Sequence, residues 1–209
     1  MSMNKFAQEV HQNAVAHGWW DDPRTFGEII SLCHSELSEA LEELRAGRGM
    51  VWYACTEGTP EHPCNPKDIY DCEMSGQEAS CAYRSAKPEG IAVELADCII
   101  RVLDYFGKEE FDTDALLLQA RTTIMCDVPC RVYNASLGDC IARWHLLLSL
   151  AYSCWCRASG SYASALRMAR CVCEIQEWAE ENGVDMEMAL DIKHAYNKTR
   201  PYRHGGKAL

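Results

Sequence analysis

Glu36 and Glu39 stand three residues apart, and so do Glu94 and Asp97. On a helix that spacing puts each pair on one face. Four carboxylates drawn together repel one another unless a cation lies among them, and hard oxygen donors select Mg²⁺, with Mn²⁺ as the alternative. Mg²⁺ keeps water and substrate phosphate in its shell, so an open acidic cluster suits phosphoryl chemistry. A complementary set stands near the other end of the sequence. Lys193, Tyr196, Asn197 and Arg200 fall at i, i+3, i+4 and i+7, one helical face. Lysine supplies a compact charge, arginine a bidentate fork and asparagine an amide donor, all suited to phosphate oxygens. Pro201 to Lys207 continues as a basic segment expected to be flexible enough to close over a polyphosphate, with His204 as a weaker phosphate contact. A single Glu-x-x-Glu is ordinarily a solvated helix face, so the weight rests on the combination.

The elements that must carry these residues read as helices almost throughout. Spans of helical periodicity run over 4–17, 25–46, 90–106, 113–123, 136–156, 162–182 and 186–198. Thr25 and Ser136 suit N-caps, and Gly47 and Gly183 suit C-terminal stops. No stretch alternates with period two between hairpin turns, which predicts an all-α fold. The sequence also repeats itself. The stretch Thr25 to Ala40 aligns with Ser136 to Ala151 at an offset of 111, sharing Gly, Ile, His, Leu, Ser and Ala. Leu95–Cys98 aligns with Met168–Cys171, and Phe111-Asp112 with Val184-Asp185, at an offset of 73. The offsets differ by 38 residues, about the length of a Gly-, Pro- and Cys-rich stretch over 49–89 that lacks helical periodicity. The expected architecture is one domain over 1–209, with a four-helix core built from two degenerate halves. The first half is 1–123, interrupted by an irregular insertion at 49–89, and the second is 136–209. Of the 54 residues between Glu39 and Glu94, removing 38 leaves 16, enough to end one helix, turn and begin the next.

The second half serves as an internal control. At the positions aligned with the four acids it carries Leu147, Leu150, Arg167 and Arg170. Solvated faces would not be expected to exchange acids for leucine and arginine together, so one half reads as specialised for metal and the other as retired from that role. The tail pattern occurs only in the second half, because the matching stretch Ala120-Arg121-Thr122-Thr123 lacks it. A single composite site follows. Leu147 and Leu150 are expected to be buried, and Lys193, Asn197 and Arg200 to face the acids across a polyphosphate-sized gap.

Glu36-x-x-Glu39, Glu94-x-x-Asp97 and Lys193-x-x-Tyr196-Asn197-x-x-Arg200 resemble the MazG-like superfamily of all-α nucleoside triphosphate pyrophosphatases, which also contains dimeric dUTPases and phosphoribosyl-ATP pyrophosphatases. The similarity spans roughly 1–47, 88–106 and 171–209. The tail through His204-Gly205-Gly206-Lys207 resembles small phage-type and bacterial members. The resemblance implies hydrolysis of a nucleoside triphosphate to the monophosphate and pyrophosphate, with Mg²⁺ held by Glu36, Glu39, Glu94 and Asp97, in a role such as nucleotide-pool sanitation. Metal-bound water would be the nucleophile, Lys193 and Arg200 would offset phosphoryl charge, and Glu36 or Glu39 would take the proton. The Cys-rich insertion and the degenerate internal copy depart from short members and leave the substrate, whether dUTP, dCTP, phosphoribosyl-ATP or another triphosphate, and the oligomeric state open, a homo-oligomer included. A reading of another class is a non-catalytic helical module whose insertion binds a protein partner.

Composition sets outer bounds. The net charge of −11 opposes binding of a nucleic-acid polymer, and no apolar run approaches the length of a membrane span. Met1 to Lys5 opens into a helical pattern without a signal-peptide core, so a cytoplasmic location is expected. Thirteen cysteines then read as thiols. Cys33, Cys98, Cys140, Cys171 and Cys173 fall in apolar helical patterns, where cysteine packs as a small hydrophobe. Cys55, Cys64, Cys72 and Cys81, with His62 nearby, could hold a Zn²⁺ that staples the insertion, although no C-x-x-C knuckle is present. Trp19-Trp20 offers faces for a nucleobase, against the plainer expectation of burial beside the first helix. His34 and His145 occupy aligned positions and read as packing or hydrogen-bonding residues. Asp104, seven residues after Asp97, is either a supporting carboxylate or an exposed one.

Overall fold

The structure, a computed structural model, describes residues 2–54, 87–125, 135–157 and 161–206. The described residues are mostly helical. They form α1 (Met3–Ala16), α2 (Phe26–Arg45), α3 (Ile91–Lys108), α4 (Thr113–Thr122), α5 (Leu137–Cys156), α6 (Ser161–Glu181), α7 (Met186–Thr199) and the short α8 (Arg203–Gly206). Two short strands, β1 (Trp52–Ala54) and β2 (Lys87–Glu89), pair antiparallel with Tyr53 opposite Pro88. This ladder corrects the expectation of a wholly irregular stretch at 49–89: strands of three residues are too short for alternation to register. Cys55, Cys64, Cys72 and Cys81 lie outside the described residues.

The helix starts follow from local chemistry. Thr25 accepts from the Glu28 backbone N–H while the Glu28 carboxylate takes the Thr25 N–H, a complete capping box, and Ser136 with Asp139 repeats it. Asp112 and Asp185 cap α4 and α7 through Ala115 and Met188. Gly90 precedes α3 with φ +114, where an added Cβ would stand 2.6 Å from the Met50 carbonyl oxygen. Only glycine lets the β2 strand turn so closely into the helix.

α3 is the central element, with 15 of its 18 residues buried. A helix apolar on nearly every side belongs inside the molecule. It packs against α1, α2, α6 and α7; α5 packs on α2 and α6, and α4 on α6. The apolar core draws on every helix from α1 to α7, so it is wider than a four-helix core. Gly107 lets α1 cross close to α3, since a Cβ there would lie 2.5 Å from the Ala7 carbonyl oxygen. At the α2–α5 contact the rings of His34 and His145 stack at 4.9 Å with their Nδ1 atoms 2.6 Å apart. Cys33, Cys98, Cys140, Cys171 and Cys173 are buried thiols. Leu147 is fully buried, whereas Leu150 is only half-buried, one turn further round α5. No helix among the described residues is long and apolar enough to cross a membrane.

The segment after α7 is not the free flap expected from its composition. The Arg203 guanidinium donates to the Gly18 carbonyl at 3.1 Å and pairs with Asp22 at 2.6 Å, and the Tyr202 hydroxyl bonds Asp21. Tyr202 and Arg203 therefore strap the start of this segment to the α1–α2 connection. Lys207 lies outside the described residues.

Candidate functional site

Because α3 is central, the carboxylates on its face are buried with it. Glu94 and Asp97 are 2% and 8% exposed, and Glu36, from the inner face of α2, is 5% exposed. Glu39 sits one turn on from Glu36 at the solvent edge, touched by the Ser35 hydroxyl. Single carboxylate oxygens of Glu36, Glu39 and Glu94 converge within 4.8 Å of one another. Asp97 is committed elsewhere. Its carboxylate takes the Lys193 ammonium at 2.9 Å and the Asn197 amide at 3.3 Å, and Lys193 also lies 3.6 Å from Glu94. Lys193, from α7, is 1% exposed.

Glu36, Glu39, Glu94, Asp97 and Lys193 line one cleft of about 140 Å³ together with Arg101, Arg200, Lys87, Trp19, Leu32 and Ser35. The structure thus brings Glu36, Glu39, Glu94 and Asp97 together with Lys193, Asn197 and Arg200. The expected gap between acids and bases is absent, because Lys193 and Asn197 contact Asp97 directly. Tyr196 does not line the cleft and instead lies under the Arg200 guanidinium at 5.8 Å. The α7 helix ends at Thr199, so Arg200 reaches the site in extended conformation and not from the helical face.

Repulsion among the four acids, expected to require a cation, is already offset by the protein itself. Lys193 and Arg101 already stand among them, Arg101 with Nε and Nη2 each 3.1 Å from one oxygen of Glu36. Burial pushes Glu36 up to about 7, reinforced by Asp97 and opposed by Arg101. Burial likewise pushes Glu94 up to about 8 against the pull of Lys193. Burial would raise Asp97 too, but Lys193 and Arg101 overturn it and hold the group below the usual carboxylate range. Near neutrality the Asp97–Lys193 pair is charged, and Glu94 keeps much of its proton. A divalent cation fits this donor set: three hard oxygens converge, and the one at the edge leaves room for the water and phosphate that Mg²⁺ retains.

Arg101 escaped the sequence reading, although its spacing of four from Asp97 and seven from Glu94 places it on the same face of α3. A second cavity adjoins the cleft, lined by Asn13, His17, Asp104, His194 and Asn197 and sharing Trp19, Asp97, Arg101 and Arg200 with it. Trp19 is buried and is also a wall of both cavities, so the two readings of that residue meet. In this second cavity's lining His194 Nε2 and Asn197 Oδ1 are buried without a hydrogen-bond partner. Trp20 donates its indole N–H to Asp104 at 2.9 Å, and His11 Nδ1 lies 2.8 Å from the same oxygen, so Asp104 is a buried supporting carboxylate. Comparison with known proteins returns no match to a family model, a curated protein or a solved structure.

Proposed function

We propose that this chain is a Mg²⁺-dependent pyrophosphohydrolase of nucleoside triphosphates, with one composite site in the cleft between α2, α3 and α7. The observation that carries the reading is the meeting, in that cleft, of three convergent carboxylates with a lysine and arginines from α3 and the α7 end. When bound at Glu36, Glu39 and Glu94, Mg²⁺ supplies Lewis acidity toward a phosphoryl oxygen and lowers the pKa of coordinated water. Water adds to the α-phosphorus, and the bond to the oxygen bridging toward the β-phosphorus breaks. Nucleoside monophosphate and pyrophosphate result. Glu39 is the proton acceptor, since it alone of the three carboxylates has neither a cation against it nor full burial. Arg200, which forms no ion pair among the described residues, and Lys193 offset charge on the phosphoryl oxygens. The nucleoside extends along Trp19 into the adjoining cavity, where the unpartnered His194 and Asn197 atoms offer it hydrogen bonds.

The same reading includes descent of the two helix pairs from one duplicated unit. Several correspondences at the two offsets support it. The capping boxes at Thr25 and Ser136 are 111 apart, as are His34 and His145, which meet ring on ring. Phe111 N–H to the Phe106 carbonyl and Val184 N–H to the Ala179 carbonyl are 73 apart, each following a left-handed residue, Glu110 or Gly183. In the second half Glu174, 73 beyond Arg101, is buried between Arg143 and Arg170, an ion pair of opposite polarity where the first half carries acids.

The test is a panel of common and modified triphosphates incubated with Mg²⁺ and assayed for pyrophosphate. Release from at least one member, abolished by chelation, is expected. No release by folded protein shown to bind the cation would overturn the reading.

A further inference from the structure

We infer that Arg101 is an exchange residue: it holds Glu36 while the cleft lacks a cation, yields that carboxylate to the cation, and then lies against substrate phosphate. The inference rests on the cleft being a divalent-cation site and deepens that reading by assigning the residue that couples cation to anion.

Three observations carry it. The first is the form of the Arg101–Glu36 pair. Both guanidinium nitrogens fall on a single oxygen of Glu36 at 3.1 Å. A settled arginine–carboxylate pair uses two parallel bonds to two oxygens, and such a pair stands among the described residues. Arg143 reaches Glu174 Oε2 at 2.6 Å and Oε1 at 2.8 Å, with Arg170 added at 2.9 Å. Against that built fork, Arg101 is held loosely and on one side.

The second is charge balance. Glu36, Glu39, Glu94 and Asp97 face Lys87, Arg101, Lys193 and Arg200 around one cleft. With Glu94 keeping much of its proton and Lys87 matched by Glu89, the three remaining carboxylates are balanced by three cationic side chains, so a cation entering alone finds no net negative charge. One of the three must yield, or an anion must come too. Lys193 is enclosed and held by Asp97. Lys87 is taken by Glu89 at 2.7 Å, and Arg200 has no ion pair with the three convergent acids. Arg101 remains, and it sits on one of them.

The third is space. The Arg101 side chain lines both the cleft and the cavity beside it, where Arg200 is its neighbour. Released from Glu36, the guanidinium has room on the side where phosphate oxygens would lie, and its fork geometry matches them. Cation and phosphate should then each strengthen the other, and to the same degree from either side.

The test replaces Arg101 with Met and titrates Mn²⁺ by electron paramagnetic resonance without any anion present, then with inorganic pyrophosphate. Mn²⁺ should bind roughly three- to tenfold more tightly to Arg101→Met than to the parent, because a resident competitor is gone. Pyrophosphate should bind the Mn²⁺-loaded variant about tenfold more weakly, and the mutual enhancement should shrink toward none. A merely structural arginine predicts the reverse for the cation, and Mn²⁺ affinity unchanged or lower in the variant would overturn the inference. So would tighter Mn²⁺ with unchanged pyrophosphate affinity. Arg101→Gln, neutral but still able to hydrogen-bond Glu36, carries the same test if the Met variant does not fold. Failure of the parent protein to bind Mn²⁺ in a manner lost in Glu39→Gln would defeat the cation site itself. Binding by the parent without tightening in the variants would defeat only the role given to Arg101.

Discussion

Three residues apart on α3, the carboxyls of Glu94 and Asp97 meet opposite fates, because Lys193 lies 2.9 Å from one and 3.6 Å from the other. Substituting them should therefore separate cleanly. Asp97→Asn strands a buried ammonium and should cost about 3–5 kcal/mol in urea unfolding. Glu94→Gln replaces a group already largely protonated at neutral pH and should change stability by about 1 kcal/mol or less. Equal losses would mean that the lysine is shared evenly. Glu39→Gln touches an exposed side chain, so the melting temperature should hold while Mg²⁺-dependent pyrophosphate release falls by about a hundredfold or more. The residue types and their spacing on α2 and α3 were legible in the sequence. The contact of Lys193 with Asp97 was not, since spacing along a chain says nothing of the distance between two helices. Arg101 carried a signal, its register with Asp97, that attention to acids alone passed over.

At the scale of elements, the helices were legible to within a residue or two at most ends because caps and apolar periodicity act locally. The β1–β2 ladder and the docking of α8 depend on partners far along the chain and left no local pattern. The α2–α5 contact invites a pH measurement. Burial lowers His34 and His145 below the ordinary 6.5, His34 further through the charge of its partner. The unfolded chain therefore takes protons first as the pH falls. The contribution of the pair is complete above about pH 6.5 and is lost progressively below it. Glu36 and Glu94, raised to about 7 and about 8, act with the opposite sign over the same range. The histidine pair is therefore read as a difference: between about pH 7 and about pH 5 the urea midpoint of the parent should fall relative to that of His34→Leu/His145→Leu. His194, lowered mainly by its own burial, adds a slope of the same sign. On α5, Leu147→Ala should cost about 2–5 kcal/mol, with Leu150→Ala costing less because that side chain is only partly buried. Comparable losses would place both side chains inside.

For the molecule as a whole, the composite reading predicts one divalent cation site per chain. Equilibrium dialysis with Mn²⁺ should saturate at about one equivalent with Glu39-dependent affinity. A second equivalent of equal affinity, retained in Glu39→Gln, would place a working site in the second half, where Arg143, Arg167 and Arg170 leave little attraction for a cation.

The order in which the site is assembled has a temporal side. Glu36, Glu39, Glu94 and Asp97 leave the ribosome long before Lys193, the buried counter-charge to Asp97 and Glu94. Until α7 has been made, the inward face of α3 must carry two carboxyls with no ammonium between them, in a helix otherwise apolar enough to collapse early. A nascent chain that gathers α1, α2 and α3 must therefore keep their shared face hydrated until α7 arrives to cover it. On the proposed reading a half-made chain also lacks Lys193 and Arg200, two of the cationic side chains assigned to the phosphates, until α7 has been made.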